Sequence, residues 1–208
     1  MPTAHIVVDY QNIHLTAHDQ FCPAGEAPHH CLIHPLHYAH QILGARNLVK
    51  RLLAEKGGHE FKPATLGSVT AFRGLPSNLH EPAAYRSSQA QQSEWTRDSR
   101  CRVIYRPLKY YKRSNGSFDV KEKGIDVLVA LELVQRAASA DAEDSVVILA
   151  AHDTDQEPAL ELSNRLAPSR VETSGWQNEK RLAVKGVQMW HTFLDRDRFE
   201  RCIDRKGY

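Results

Sequence analysis

The stretch SVVILAAHDTD, residues 145–155, runs an unbroken series of apolar and β-branched side chains directly into a cluster of polar and acidic ones. A run from Val146 to Ala150 with no polar face suits a strand covered on both sides, as a central strand of a parallel sheet is. It ends at His152-Asp153-Thr154-Asp155, and in open parallel sheets ligands bind just beyond the carboxyl ends of the strands.

Working outward, His5 to Val8 is a second short apolar run, and it also ends in polar residues: Asp9, Tyr10, Gln11 and Asn12. Strands are further expected at 65–72, 101–105 and 170–173. Helices are expected at 39–55, stopped by Gly57-Gly58, at 82–95, and at 157–166. The segment from Ile125 to Val134 is nearly all apolar and predicts a helix buried between the sheet and its neighbours. Strands alternating with helices imply right-handed crossovers and helices on both faces of the sheet. The expected fold class is therefore α/β, Rossmann-like, in three layers around a central parallel sheet. One domain, 1–208, carries a His/Cys-rich insertion at about 16–38 and a C-terminal helical tail at about 187–205.

At 208 residues, 41% hydrophobic and 25% charged, the chain has the composition of a globular protein with a sizeable core. No apolar run approaches the roughly 20 residues of a membrane span, so no membrane partner is expected. The start MPTAHIVVDY lacks the basic and apolar regions of a signal peptide, which makes a cytoplasmic location the expectation. Cys22, Cys31, Cys101 and Cys202 are too scattered for a disulfide framework, and reduced thiols are expected. Nothing in the sequence fixes the oligomeric state, and a homodimer is compatible with it.

If the strands ending at Asp9 and before Asp153 are neighbours, Asp9, Asp153 and Asp155 converge, and Asp126, opening a helix, enters the same edge. Carboxylates so crowded repel one another unless a cation neutralises them, and an all-oxygen set selects Mg²⁺ or Mn²⁺. Such an ion orients a water and stabilises charge on a phosphodiester. Taken singly, each aspartate reads as a turn residue or helix cap; it is their joint placement that points to a site.

Three blocks, VDYQNIH (8–14), KEKGIDVLVALELV (121–134) and ILAAHDTDQEPAL (148–160), together resemble the signature blocks of the NYN domain group of PIN-like nucleases. The resemblance covers most of the chain from residue 8 to 160. It implies a PIN-like version of the Rossmann-like fold and a metal-dependent ribonuclease acting on RNA. Carried over by position, it makes Asp9, Asp126, Asp153 and Asp155 catalytic metal ligands, has Asn12 support the substrate or a water at the metal, and lets Thr154 bind water or phosphate. The chain departs from the family at Tyr10-Gln11, where glycine is common, at Ala151-His152, where serine-glycine is common, and at Gln156, where an aromatic is common. Glu132 replaces a second helix aspartate, but six positions beyond Asp126 it lies about 240° round the helix.

The stretch RPLKYYKRSNG (106–116) interleaves cations with aromatics, as phosphate neutralisation and base stacking require. Asn115-Gly116 predicts a hairpin tip, which would make this a flap beside Asp126, with Lys109, Lys112 and Arg113 binding RNA. The alternative is a solvated hairpin. The insertion concentrates His14, His18, His29, His30, His34, His37 and His40 beside two cysteines. Cys22, Cys31, His34 and His37 match no standard zinc spacing, so zinc is not expected there. His152 reads more readily as a packing residue than as a proton-transfer group. Two other functions stand beside the ribonuclease: a catalytically weak RNA-binding or adaptor module on the same fold, and a phosphohydrolase. The latter wants a second aspartate two places after Asp9, where Gln11 stands. No Walker loop or GxGxxG motif supports nucleotide binding.

Overall fold

The computed structural model of the chain describes residues 1–139 and 144–208. Asp141, in the polar segment before the strong strand, lies outside the described residues. Six parallel strands form one sheet: β1 (Thr3–Asp9), β2 (Thr65–Leu75), β3 (Cys101–Pro107), β6 (Ser145–Ala150), β7 (Val171–Trp176) and β8 (His191–Leu194). Between β3 and β6 in the chain, β4 (Lys109–Lys112) and β5 (Phe118–Lys121) make a separate antiparallel hairpin. The spatial order is β3-β2-β1-β6-β7-β8. With the hairpin set aside, this is the doubly wound order 3-2-1-4-5-6, whose direction of winding reverses between β1 and β6.

The central strands alternate between two cores, as the pleat demands. Ala4, Ile6 and Val8 of β1 and Val146, Ile148 and Ala150 of β6 face one layer, with α1 (Tyr10–Phe21), α2 (Pro35–Gly57), Trp95 at the end of α3 (Pro82–Trp95), and Phe199 of α6 (Arg196–Cys202). Val7, Val147 and Leu149 face the other layer, built from α4 (Ile125–Ala138), α5 (Glu157–Leu166), Leu182 and Met189. The fold is thus α/β, Rossmann-like and three-layered. Among the described residues no helix is long and apolar enough to cross a membrane.

Four expectations are corrected. The insertion expected from about residue 16 begins inside α1, whose buried positions Tyr10, Ile13, His14, Ala17 and Phe21 follow a helical repeat partly written in histidine and alanine. The tail is not wholly helical: His191 to Leu194 adds a parallel edge strand, burying Thr192 and Leu194, before α6 starts. Cys22 and Cys31 are not free thiols but form a disulfide with Cα atoms 6.8 Å apart. The segment after α1 folds back along it, held by bonds from His14 to the Pro28 carbonyl and from His18 to the Glu26 carbonyl, and this brings the two cysteines together. The pair is therefore not available as thiolates beside His34 and His37. Finally, α4 is not buried on all sides: Ile125, Val129, Leu133 and Ala137 meet the sheet, while Val127 and Leu131 stay exposed.

Candidate functional site

At the reversal point between β1 and β6 the carboxyl ends of the strands diverge and leave a crevice. Asp9, the last residue of β1, caps α1 with Oδ1 accepting the Asn12 N–H at 3.2 Å. Asp153, just beyond β6, caps a one-turn 3-10 helix (Thr154–Gln156) by accepting the Asp155 N–H at 2.9 Å. Asp126 occupies the first turn of α4, entered through Gly124, whose φ of 78° is a left-handed conformation that favours glycine. Each of the three offers a carboxylate oxygen, and these oxygens lie within 4.8 Å of one another. Capping and clustering are compatible, because a carboxylate that accepts one backbone bond keeps lone pairs to spare.

The electrostatics follow from the crowding. Asp9 is only 4% exposed. Burial pushes its carboxyl up from the ordinary 3.8 to about 7, and Asp126, Glu122 and Asp153 add like-charge repulsion against the lowering by the Asn12 N–H. Asp126 is raised by burial, then by Asp153 and Asp155. Glu122, between the hairpin and α4, is raised by burial and by Asp126 while the Gly74 N–H, 2.5 Å from its Oε1, holds it lower. It is a fourth acidic neighbour that the sequence reading missed, since a glutamate inside Lys121-Glu122-Lys123 reads as part of a solvated charge run.

The remaining expected residues fall elsewhere. Asp155 is exposed and is not one of the three clustered carboxylates. With Thr154, Glu157, Glu161 and Lys185 it lines an adjoining cavity of about 450 Å³. Three acids there disfavour phosphate at Thr154. Asn12 spends its Oδ1 on the His152 N–H at 2.7 Å, which ties α1 to the end of β6 and fixes Asp9 relative to Asp153. Gln156, 1% exposed, donates to the Asp126 carbonyl at 3.1 Å and ties the third segment to the other two. His152 accepts the Trp176 N–H through Nε2 at 3.1 Å, and burial lowers its pKa. That bond ties the end of β6 to β7. Glu132 pairs with Arg136 at 2.9 Å, away from the cluster.

The hairpin stands at the same edge, with its turn at Gly116. It is docked rather than free: His80 stacks on Tyr110 at 4.5 Å and meets Phe118 tilted at 4.4 Å, and Tyr110 Oη accepts the Ser77 N–H and donates to Glu81. Register places Lys109 beside Lys121 and Lys112 beside Phe118, on opposite faces of the ribbon. Arg113 shares Asp119 with Lys121, so part of its charge is already met. Lys123 lies 5.7 Å from the Tyr111 ring and extends the cationic track toward Asp126.

Fold and site together define a class: a doubly wound α/β protein with a triad of carboxylates at its topological switch point, bordered by a cationic hairpin. No family model matches the chain, and no curated protein matches it. A crystal structure of a protein of unknown function from Vibrio parahaemolyticus is similar to it, with a TM-score of 0.55 and 18% sequence identity over 94% of this chain and 94% of that one. At that identity the likeness shows the fold alone.

Proposed function

We propose that this protein is a metal-dependent ribonuclease that cleaves RNA phosphodiester bonds, with Asp9, Asp126 and Asp153 holding a Mg²⁺ or Mn²⁺ ion. The observation that carries the reading is the meeting of three carboxylate oxygens within 4.8 Å at the switch point. The donors fit such an ion: they are all hard oxygens, and the Asp9 carboxyl, pushed up to about 7, lacks a counter-charge that a divalent cation would supply. When bound, that ion supplies an activated water and a counter-charge for the phosphate. The chain's own residues do the rest. Asn12 and Gln156 hold the three acidic segments in register, Glu122 adds negative charge beside Asp9, and Lys109 and Lys121, paired on one face of the hairpin, offer with Lys123 an approach for a polyanion. The resemblance to the NYN group supports the choice of RNA.

The test is cleavage of a mixed set of single-stranded and structured RNAs with Mn²⁺ or Mg²⁺, against the same reaction under chelation. Asp153→Asn keeps the cap and removes one ligand charge, so kcat should fall at least about 100-fold and Mn²⁺ affinity should fall with it. Glu55→Gln, near the end of α2 at the opposite edge of the sheet, should leave both unchanged. Full cleavage by Asp153→Asn, or in excess chelator, sinks the mechanism. RNA binding without turnover by the wild type would instead leave an adaptor that keeps the fold and the hairpin.

A further inference from the structure

Arg73 is a partly buried guanidinium to which no ion pair is made among the described residues. Buried charges normally have a counter-ion, and Arg46, met by both oxygens of Glu172, is an example in this chain. Arg73 is instead surrounded by rings: its Cζ lies 4.8 Å from the Tyr10 centroid, 5.5 Å from Trp95 and 5.8 Å from Tyr105. Nη1 donates to Gln91 Oε1 at 2.6 Å. The rings enclose the cation and restrict its movement, Gln91 takes one edge, and the rest of the donor fork has no acidic partner among the described residues.

Its place in the sheet gives this a direction. Arg73 follows Phe72, which pairs in register with Asp9, so the pleat turns its side chain to the other face of the same strand ends, where it meets Tyr10, the residue after Asp9. The next residue, Gly74, gives its N–H to Glu122 at 2.5 Å, and the Arg73 charge helps hold that carboxyl lower, so Arg73 borders the acidic edge. A rigid, incompletely matched guanidinium beside a cleft for phosphodiesters offers the bidentate geometry of phosphate recognition.

We propose that Arg73 binds a backbone phosphate of the RNA strand next to the phosphate at the carboxylates, and so sets how the strand enters the cleft. The inference rests on the ribonuclease reading and names a substrate contact for it. The competing role is structural, a tether from β2 to α3 through Gln91, and the experiment must separate the two.

Two variants do so, assayed on a single-stranded oligoribonucleotide with Mn²⁺ and by salt-dependent binding of the same RNA under chelation. Arg73→Lys keeps the charge but loses the planar fork: KM should rise about tenfold with kcat within about twofold. Arg73→Met removes the charge, and the slope of log affinity against log salt should shrink by about 0.7, one phosphate contact on a single strand. Melting temperatures are read in parallel. Wild-type KM for Arg73→Lys together with a wild-type salt slope for Arg73→Met would overturn the proposal. So would losses that track a fall in the folded fraction and appear equally in kcat. Failure of the ribonuclease reading looks different: the wild type then cuts nothing, and the binding slope, which needs no turnover, still decides whether Arg73 meets phosphate.

Discussion

Asp9 carries two demands on one side chain. Its cap on α1 wants an acceptor, which Asn supplies nearly as well as Asp, whereas its charge is costly because the group is buried among other acids. The folded state holds the Asp9 proton up to about pH 7, while the unfolded chain releases it near 3.8. Without metal, stability is therefore lost as pH rises from about 4 to 7, and the loss is complete above that. Asp9→Asn removes this dependence. In excess chelator the variant should match the wild type at pH 4 and exceed it at pH 8 by on the order of 1–4 kcal/mol, read from urea unfolding. With Mn²⁺ the order should reverse, since the wild type gains more from binding. A difference that stays flat with pH would mean that the Asp9 carboxyl is not held buried among acids as described.

At the scale of elements, legibility followed how completely a segment's burial is written in apolar residues. β6 and β1 were plain because every position from Val146 to Ala150 and from Ile6 to Val8 is both apolar and buried. α1 was not, because His14 and Ala17 hold places in its buried stripe that a hydrophobic pattern would fill with larger apolar residues. β8 is four residues long and polar at His191 and Thr192, so its edge pairing is visible only in three dimensions. The triad was legible in type and placement, since Asp9 and Asp153 end strands and Asp126 opens a helix. What separated Asp155 from it was the tight turn that Asp153 caps, a matter of a single residue's direction. The hairpin was legible from Asn115-Gly116, but its docking depends on His80, about thirty residues earlier in the chain. That docking makes a clean test: Lys109 and Lys112 are exposed and make no ion pair among the described residues. Replacing both with alanine should leave the melting temperature nearly unchanged while the salt slope of RNA binding falls by about 0.7, one phosphate contact on a single strand. Since the two lysines lie on opposite faces, one single variant should account for most of the loss. Equal, full-sized losses from both would contradict the register.

On the scale of the whole molecule, the acidic site and the most buried ion pair among the described residues occupy different parts of the sheet. The triad joins β1, α4 and the end of β6 at the carboxyl edge. Glu172, in the first half of β7 and 2% exposed, joins β7 to α2 through Arg46 at 2.6 and 2.8 Å and Lys50 at 2.7 Å. Such a pair contributes little net stability against an apolar isostere, because two ions lose their water, yet breaking it by removing one partner strands a charge in the core. Glu172→Leu should therefore cost about 3–5 kcal/mol in urea unfolding, with Arg46, 6% exposed, left without its carboxylate. Adding Arg46→Met should recover most of that loss, because the stranded charge is removed and its volume is kept; the two substitutions are in contact and will not add. Arg46 and Glu172 lie apart from the carboxylates, so the folded fraction of every variant should cleave RNA, or bind it, as the wild type does. A single variant costing under about 1 kcal/mol, or a double variant no better than the single, would mean that Glu172 is not the counter-charge holding Arg46 in the core. A loss of RNA cleavage out of proportion to unfolding would mean that the ion pair and the acidic cleft are coupled through β7 and β6, and that stability and function are not housed separately in this sheet.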